Sequence, residues 1–206
     1  MFQYQAIQPD TLSLLKSLAT KEYLVGFQLV GGTALALQRG HRISTDIDLF
    51  SSTDFSADQL MNLLNQEFDN VQFSNVGTNL IQGSINGVKI DFACHKYQAI
   101  QQPLRFEKIS ITSLEDIAAM KLAAILSRAK KRDFIDLAEL LKVFDLSEML
   151  DFFKIKYEQE SIFHVVKSLT YFEEADADHT ELKILVDGLE WPVVKESIGK
   201  SVKSLS

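Results

Sequence analysis

The sequence predicts an α+β fold in which a mixed α/β half is followed by a helical half. Strand-like segments, with apolar and polar residues in alternation, lie before residue 112. From there onward the apolar residues recur mainly at helical spacing. We therefore predict two regions, residues 1–111 and residues 112–206, in a chain of 206 residues.

The first part of the α/β half alternates between helices and strands. Pro9 is suited to the first turn of a helix, and Gly40 can end one. An amphipathic pattern follows Ser56. The predicted elements are, in order, a helix over 9–19, a strand over 27–30, a helix over 33–38, a strand over 46–50 and a helix over 56–68.

The second part of this half consists of strands. Asn86-Gly87 is a strong signal for a two-residue β-hairpin turn. The predicted strands cover residues 71–76, 80–85, 88–92 and 105–111.

The helical half opens with a capping signal. Thr112 and Glu115 have the spacing of a capping box, and Pro192 suits the first turn of the last helix. The predicted helices cover residues 114–128, 133–143, 147–158 and 161–172, and a final one begins at Trp191.

Composition limits the class of protein. The chain is 46% hydrophobic and carries a net charge of −7, which argues against nonspecific nucleic-acid binding by the whole surface. Cys94 is the only cysteine, so no internal disulfide can form and a reducing compartment is expected. The sequence has neither a secretory signal nor an apolar run of membrane-spanning length. We predict a cytoplasmic, soluble protein.

A glycine pair lies between a predicted strand and a predicted helix. Gly31 and Gly32 would let the backbone approach a triphosphate closely, and Thr33 can donate a hydroxyl. Free N–H groups at a helix start suit a phosphate. Alone, a Gly-Gly pair is more typical of a tight turn.

Asp46 and Asp48 lie two residues apart in an otherwise hydrophobic strand. Such carboxylates share one face and repel each other, unless a cation lies between them. We predict that they hold Mg²⁺, or Mn²⁺ in its place. A calcium loop is excluded because Ser51 and Ala57 stand where glycine and glutamate are needed. The histidines and the cysteine lack the spacing of a zinc site.

Asp91 lies in a later predicted strand, where Val88, Ile90 and Phe92 alternate with polar residues. A third carboxylate would complete a two-metal site for phosphoryl transfer and help to deprotonate an attacking hydroxyl. The alternative is a solvated strand residue.

Basic residues cluster in the helical half. Lys121 and Arg128 can share a helix face and could neutralise charge on a transferring phosphate or hold an RNA backbone. A basic turn is more often a solvated connection. Asp136 could pair with Arg132 at i,i+4 or reach the catalytic centre.

Further polar residues surround the first site. We assign Arg42 and Ser44 to nucleotide binding, although Arg42 could instead cap its loop. Lys21, Arg39 and His41 are predicted to lie on the surface.

Several motifs together resemble the AbiEii/AbiGii toxin family within the DNA polymerase β-type nucleotidyltransferase superfamily. They are Gly-Gly-Thr-Ala-Leu-Ala-Leu at 31–37, Arg-Ile-Ser-Thr-Asp-Ile-Asp-Leu-Phe at 42–50, Lys-Leu-Ala-Ala-Ile at 121–125, Arg-x-Lys-x-Arg-Asp-Phe-Ile-Asp-Leu at 128–137 and Leu-Thr-Tyr-Phe-Glu-Glu-Ala at 169–175. The resemblance extends from about residue 27 to residue 191.

The resemblance implies a polymerase β-type core, with a small mixed sheet and helices, followed by a helical C-terminal region. It also implies transfer of a nucleoside monophosphate from an NTP, with release of pyrophosphate. Gly32 and Thr33 would then bind the triphosphate, while Lys121 and Asp136 match the later basic and acidic motifs. The implied metal ligands are Asp46, Asp48 and Asp91.

The resemblance also implies partners. Some family members modify the acceptor end of tRNA as toxins, and a separately encoded antitoxin neutralises each. The sequence leaves open whether the acceptor is tRNA, a protein hydroxyl or a small molecule. The alternative hypothesis is a nucleotide-binding or partner-binding module with little catalysis, which gains weight if Asp91 faces away from Asp46 and Asp48.

Overall fold

The computed structural model describes residues 1–205 and confirms the predicted α+β class. Its strands form one mixed sheet in the order β3-β4-β5-β2-β1-β7-β6. The strands are β1 (Phe27–Leu29), β2 (Ile47–Ser51), β3 (Val71–Gly77), β4 (Leu80–Ile85), β5 (Val88–Cys94), β6 (Leu104–Phe106) and β7 (Ile109–Ile111).

Two parallel pairings lie at the centre of the sheet. β2 runs parallel to β5, and β1 runs parallel to β7. The remaining neighbours are antiparallel, including β1 against β2. The middle of the sheet, where β5, β2 and β1 are adjacent, carries the residues of the candidate site.

Helices surround this sheet and fill the second half of the chain. Three of them, α2, α4 and α5, contact one another. The helices are α1 (Pro9–Leu18), α2 (Gly31–Arg39), α3 (Ala57–Glu67), α4 (Leu114–Arg128), α5 (Lys131–Leu140), α6 (Leu146–Tyr157), α7 (Phe163–Ser168), α8 (Glu173–Asp176) and α9 (Trp191–Lys203).

Local signals act as predicted at several boundaries. Gly40 ends α2 in the left-handed region, at φ 68°. Ser56 caps α3 by accepting a hydrogen bond from the Gln59 N–H. Asn86 and Gly87 both have positive φ, as the tight turn between β4 and β5 requires.

Three predicted boundaries are wrong. Ser113, one residue later than expected, is the N-cap of α4 and accepts from the Asp116 N–H. The strand over 105–111 is two antiparallel strands, because the chain turns at Glu107 with φ 54°. The helix over 161–172 is the short α7, and the separate helix α8 starts at Glu173.

The hydrophobic core is continuous across the predicted regional boundary. Leu29 and Ile47 of the sheet and Leu122 and Phe134 of the later helices all belong to one buried cluster. The division at residue 112 therefore stays a prediction about sequence organisation. None of the helices in residues 1–205 has the length and apolar character to cross a membrane.

A buried carboxylate connects the loop after β5 to the helical half. Asp116 accepts a 2.6 Å hydrogen bond from Lys156 Nζ and a 2.7 Å bond from the Ser113 hydroxyl. It also accepts from the backbone N–H groups of Ile100 and Gln101 at 3.0 and 3.2 Å. This one side chain therefore holds together a loop, the start of α4 and the end of α6.

We expect Asp116→Ala to lower the free energy of unfolding by about 3–5 kcal/mol, because it leaves the buried Lys156 ammonium without its partner. Urea denaturation measures this. Asp151→Ala is the matched control, since Asp151 pairs with Lys154 on the surface and its loss should cost under about 1 kcal/mol. Equal losses for the two variants would contradict the structural role of Asp116.

Candidate active site

A cleft of about 690 Å³ opens where α2, β2 and β5 meet. Nearly all residues that the sequence indicated line it, although they come from distant parts of the chain. They are Gly31, Gly32, Thr33, Arg42, Ser44, Asp46, Asp48, Asp91 and Lys121. Asp136 is fully buried next to the cleft and does not line it.

Charged side chains approach the backbone at residues 31 and 32 so closely that neither position has room for a Cβ. A Cβ on Gly31 would lie 2.7 Å from Asp48 Oδ2, and the residue has φ 69°, which favours glycine. A Cβ on Gly32 would overlap Arg42 Nη2. The pair therefore lets a carboxylate and a guanidinium reach the N-terminus of α2, where free N–H groups point outward.

The parallel pairing of β2 and β5 sets the central geometry. Asp48 is the register partner of Asp91, so the two side chains lie on the same face of the sheet and line the same cleft. Asp46 lies two residues before Asp48, just outside β2. The fold therefore brings all three predicted carboxylates to one cleft.

Cations contact two of these carboxylates. Arg132 Nη1 lies 3.1 Å from Asp46 Oδ2, and Lys89 Nζ lies 3.0 Å from Asp91 Oδ2. Asp91 Oδ2 also accepts from Gln82 Nε2 at 3.2 Å. The other oxygen, Asp91 Oδ1, is buried without a hydrogen-bond partner among residues 1–205. A buried acceptor of this kind is costly unless a ligand completes it.

Burial raises the pKa of Asp48, and the neighbouring charges of Asp91 and Asp46 raise it further. Lys89 and Lys121 oppose this effect in part. A cation placed between these carboxylates would relieve the repulsion. The site therefore favours positive charge beyond what its own side chains supply.

The carboxylates fit a magnesium site that substrate would complete. Within residues 1–205, no three histidine, cysteine or carboxylate side chains converge as a finished metal site. Magnesium commonly takes one or two protein carboxylates and fills its other positions with water and phosphate oxygens. The orphaned Asp91 Oδ1 and the crowding around Asp48 fit this open arrangement.

Thr33 and Ser44 connect α2 to the segment before β2. The buried Thr33 hydroxyl donates to the Asp46 carbonyl and lies 2.8 Å from the Ser44 hydroxyl. Since a hydroxyl has one proton, Ser44 is the donor in the second bond. Both side chains line the cleft, and these bonds fix the backbone that carries Asp46.

Asp136 forms the centre of a buried ionic cluster. It binds Arg42 through two hydrogen bonds of 2.7 and 2.9 Å. His41 Nε2 and Lys121 Nζ reach it at 2.7 and 2.6 Å. The i,i+4 pairing of Asp136 with Arg132 is therefore wrong, because Arg132 reaches Asp46 instead. His41, predicted on the surface, is fully buried because its partner is this carboxylate.

Asp133, which belongs to the run that follows Arg128 and for which we predicted no role of its own, extends the cluster. It binds Lys121 Nζ at 2.9 Å and accepts from Arg128 at 2.9 Å. Lys121 is thus held between two buried carboxylates while its side chain lines the cleft. Asp133 follows the basic turn directly, which is the signal that could have indicated a partner for those cations.

An irregular segment, residues 180–184, forms another wall of the cleft. Ile184 bridges to Arg42, and the Ile43 N–H donates to the Lys183 carbonyl at 2.8 Å. Lys183 therefore joins the basic side chains around the site. Sequence patterns missed this wall because it has no helical or strand periodicity.

The chain is similar to several known proteins. The family model described as nucleotidyl transferase AbiEii toxin, type IV toxin–antitoxin system, matches residues 13–191. The chain is also 31% identical over 186 residues to aq_aa25, an uncharacterized protein of Aquifex aeolicus (strain VF5). That match covers 86% of each chain.

Solved structures share the fold. JHP933 from Helicobacter pylori superposes with a TM-score of 0.53 at 17% identity, covering 97% of this chain and 94% of that one. MenT4, a nucleotidyltransferase toxin from Mycobacterium tuberculosis H37Rv, gives a TM-score of 0.53 at 15% identity, covering 97% and 87%.

The ionic cluster should make stability depend on pH. Burial alone would raise the pKa of Asp136, but the charges of Arg42 and Lys121 and the hydrogen bond from His41 hold it well below its usual value. A carboxylate with a depressed folded pKa stabilises the fold above its unfolded pKa of about 3.9, and the contribution is lost as the pH falls further.

We therefore expect Asp136→Asn to destabilise the protein by about 3–5 kcal/mol at neutral pH, with the difference from wild type shrinking in acid. Urea denaturation at about pH 7, 5 and 3 measures the difference. Asp151→Asn, on the exposed surface, is the control. A constant difference across this range would contradict the predicted linkage.

Proposed function

The chain belongs to the AbiEii family of nucleotidyl transferase toxins of type IV toxin–antitoxin systems, and we propose that its cleft transfers a nucleoside monophosphate from an NTP to an acceptor hydroxyl. Membership makes the chain a nucleotidyltransferase and implies a nucleotide substrate and an antitoxin partner. The metal, the site residues and the acceptor are the parts that we propose from the chain's own geometry.

The observation that carries the proposal is the side-by-side placement of Asp48 and Asp91 in the parallel register of β2 and β5. The glycine start of α2 lies directly against Asp48, because a Cβ added to Gly31 would lie 2.7 Å from Asp48 Oδ2. Carboxylates facing a helix N-terminus can hold a divalent cation and a polyphosphate together. This juxtaposition suits attack on a phosphorus atom.

We assign the triphosphate to the N-terminus of α2, at Gly31, Gly32 and Thr33. In the proposed site Asp46, Asp48 and Asp91 hold Mg²⁺ or Mn²⁺, which would supply Lewis acidity at the phosphate when bound. Arg42 and Ser44 line the same cleft, but their polar groups also bind other residues of this chain, Asp136 and Thr33 respectively. Their contribution is therefore to shape the nucleotide site and to support the residues that touch the ligand.

In the proposed reaction the acceptor oxygen bonds to the α-phosphorus, while the bond from that phosphorus to the bridging oxygen of the β-phosphate breaks. Pyrophosphate leaves with the bond electrons. We propose that the acceptor's proton passes to the Asp91 carboxylate, whose Oδ1 has no hydrogen-bond partner among residues 1–205.

Lys121 is proposed to offset charge that develops on the phosphates. The residue lines the cleft, and its buried ammonium is fixed at 2.9 and 2.6 Å from Asp133 and Asp136. Asp136 touches no cleft surface, so we propose that it acts by positioning Lys121 and Arg42 rather than by contacting substrate. Fixed charges of this kind need no reorganisation during the reaction.

The charge of the cleft supports an anionic acceptor such as tRNA. The protein has a net charge of −7, yet six basic side chains line this one opening, against four carboxylates. The basic side chains are Arg42, Lys89, Lys121, Arg128, Arg132 and Lys183. We propose tRNA as the acceptor, and a protein hydroxyl or a small molecule is the alternative outcome of the test. A cytoplasmic location stays a prediction, supported by the single cysteine.

The hypothesis of a catalytically weak binding module is less well supported. It gains weight only if Asp91 faces away from the other carboxylates, whereas its register partner is Asp48 and both line one cleft.

We expect incubation with α-labelled NTP, magnesium and total bacterial tRNA to place label on RNA, with the transfer lost on chelation of the metal. Asp48→Asn should reduce labelling at least about hundredfold, because it removes a proposed metal ligand from the reacting centre. Asp58→Asn, exposed in the first turn of α3, is the control and should label normally.

The distribution of label decides between acceptors. Label on protein would assign a protein hydroxyl, and absence of label with all NTPs would remove the tRNA proposal. Undiminished labelling by Asp48→Asn would contradict the assignment of the carboxylate site.

A further inference from the structure

A second, smaller cleft of about 260 Å³ adjoins the catalytic one. Both clefts are lined by Gly31, Asp48, Lys121 and Arg128, so they meet at the proposed reacting centre. The catalytic cleft has the basic side chains, whereas the smaller one is walled mainly by rings and apolar groups. The apolar and aromatic walls of the smaller cleft are Phe50, His95, Ile117, Met120, Ala123 and Tyr157.

The rings of this wall form one connected cluster with the neighbouring Tyr97, which lines neither cleft. His95 lies 5.6 Å from Phe50, 4.8 Å from Tyr97 and 6.1 Å from Tyr157, measured between ring centroids. Tyr97 and Tyr157 are 4.8 Å apart. Phe50, His95 and Tyr157 are only partly buried, so their rings can be reached by a ligand in this cleft.

The cluster is held in place before any ligand arrives. The His95 N–H donates to the Ser51 carbonyl at 2.8 Å, which fixes the start of the loop that carries His95 and Tyr97. Further along, Asp116 holds the N–H groups of Ile100 and Gln101. A rigid set of rings loses little conformational entropy when it binds a flat ligand.

Burial and the charge of Lys156 together lower the pKa of His95 to about 4, although the charge of Asp116 opposes them. The imidazole is therefore neutral at physiological pH, and it presents an aromatic face without a charge to desolvate. This agrees with the apolar character of the surrounding wall.

We infer that this aromatic cleft binds a nucleobase by stacking, beside the phosphate site. The inference rests on the proposed function, which places phosphates at Gly31 and Asp48. Ligand pockets commonly span about 300–1,000 Å³, so a cleft of about 260 Å³ suits one ring system rather than a whole nucleotide. Stacking on aromatic rings tolerates any base, because every base has a π face.

The base can belong to either reactant. The NTP brings one base, and an RNA acceptor brings another on its terminal nucleotide. In both cases the phosphate or hydroxyl that reacts would lie at Asp48 while its base lies against His95 and Tyr157. The chemistry of recognition is the same, and binding measurements separate the two sources.

Binding tests this inference without needing turnover. The probes are ATP, CTP and inorganic tripolyphosphate, each with magnesium, in calorimetric titrations, and a fluorescein-labelled single-stranded RNA hexamer in anisotropy titrations. The variants are Tyr157→Leu and His95→Leu, which remove a ring and keep apolar volume. Tyr157→Phe keeps the ring, and Tyr171→Leu removes an exposed tyrosine that lines neither cleft.

We expect both leucine variants to bind a base-bearing probe at least about fivefold more weakly than wild type, because each loses a ring on which the base would stack. Tripolyphosphate should bind all variants equally, and Tyr157→Phe and Tyr171→Leu should match wild type. Weaker binding of ATP and CTP would assign the base of the NTP, and weaker binding of the hexamer alone would assign the acceptor.

Two results would overturn the inference. One is unchanged binding of all base-bearing probes by both leucine variants. The other is an equal loss of tripolyphosphate binding, which would reveal a general disturbance of the site. Failure of the proposed function looks different, since wild type would then bind neither tripolyphosphate nor NTP with magnesium. Urea denaturation of Tyr157→Leu and His95→Leu shows whether each variant is folded.

Discussion

The structure depends most on the parallel pairing of β2 and β5, which sets two carboxylates side by side. Asp48 and Asp91 share one face of the sheet, and their like charges repel each other. The fold offsets this repulsion with ammonium groups and with the dipole at the start of α2. The remaining repulsion between the carboxylates supports the proposed binding of a divalent cation together with phosphates.

Behind this face, a buried ionic cluster joins the two halves of the chain. Arg42 comes from the α/β half, whereas Asp136, Lys121 and Asp133 come from the helical half. Each buried charge has an opposite partner, and removing one partner would leave the other uncompensated. The cluster holds Lys121 at the cleft, so the helical half contributes a residue to the lining of the site.

The sequence was sufficient to predict those elements whose signals lie within a few neighbouring residues. The hairpin at Asn86-Gly87, the end of α2 at Gly40 and the strand positions of Asp48 and Asp91 follow from patterns within a few residues, whereas Asp46 lies just outside β2. Burial of His41 could not be predicted, because its partner lies 95 positions away in the chain. The shift of the α4 cap to Ser113 arose because two adjacent hydroxyl residues offer equal local signals.

The irregular wall at residues 180–184 has a consequence for how this enzyme can diversify. It joins the rest of the site through isolated backbone pairings to residues 41–43, not through the strands that carry the carboxylates. Loops of this kind accept insertions and deletions that a sheet interior would not. Descendants of such a gene can therefore acquire wider, narrower or differently charged entrances while the reacting centre is inherited unchanged.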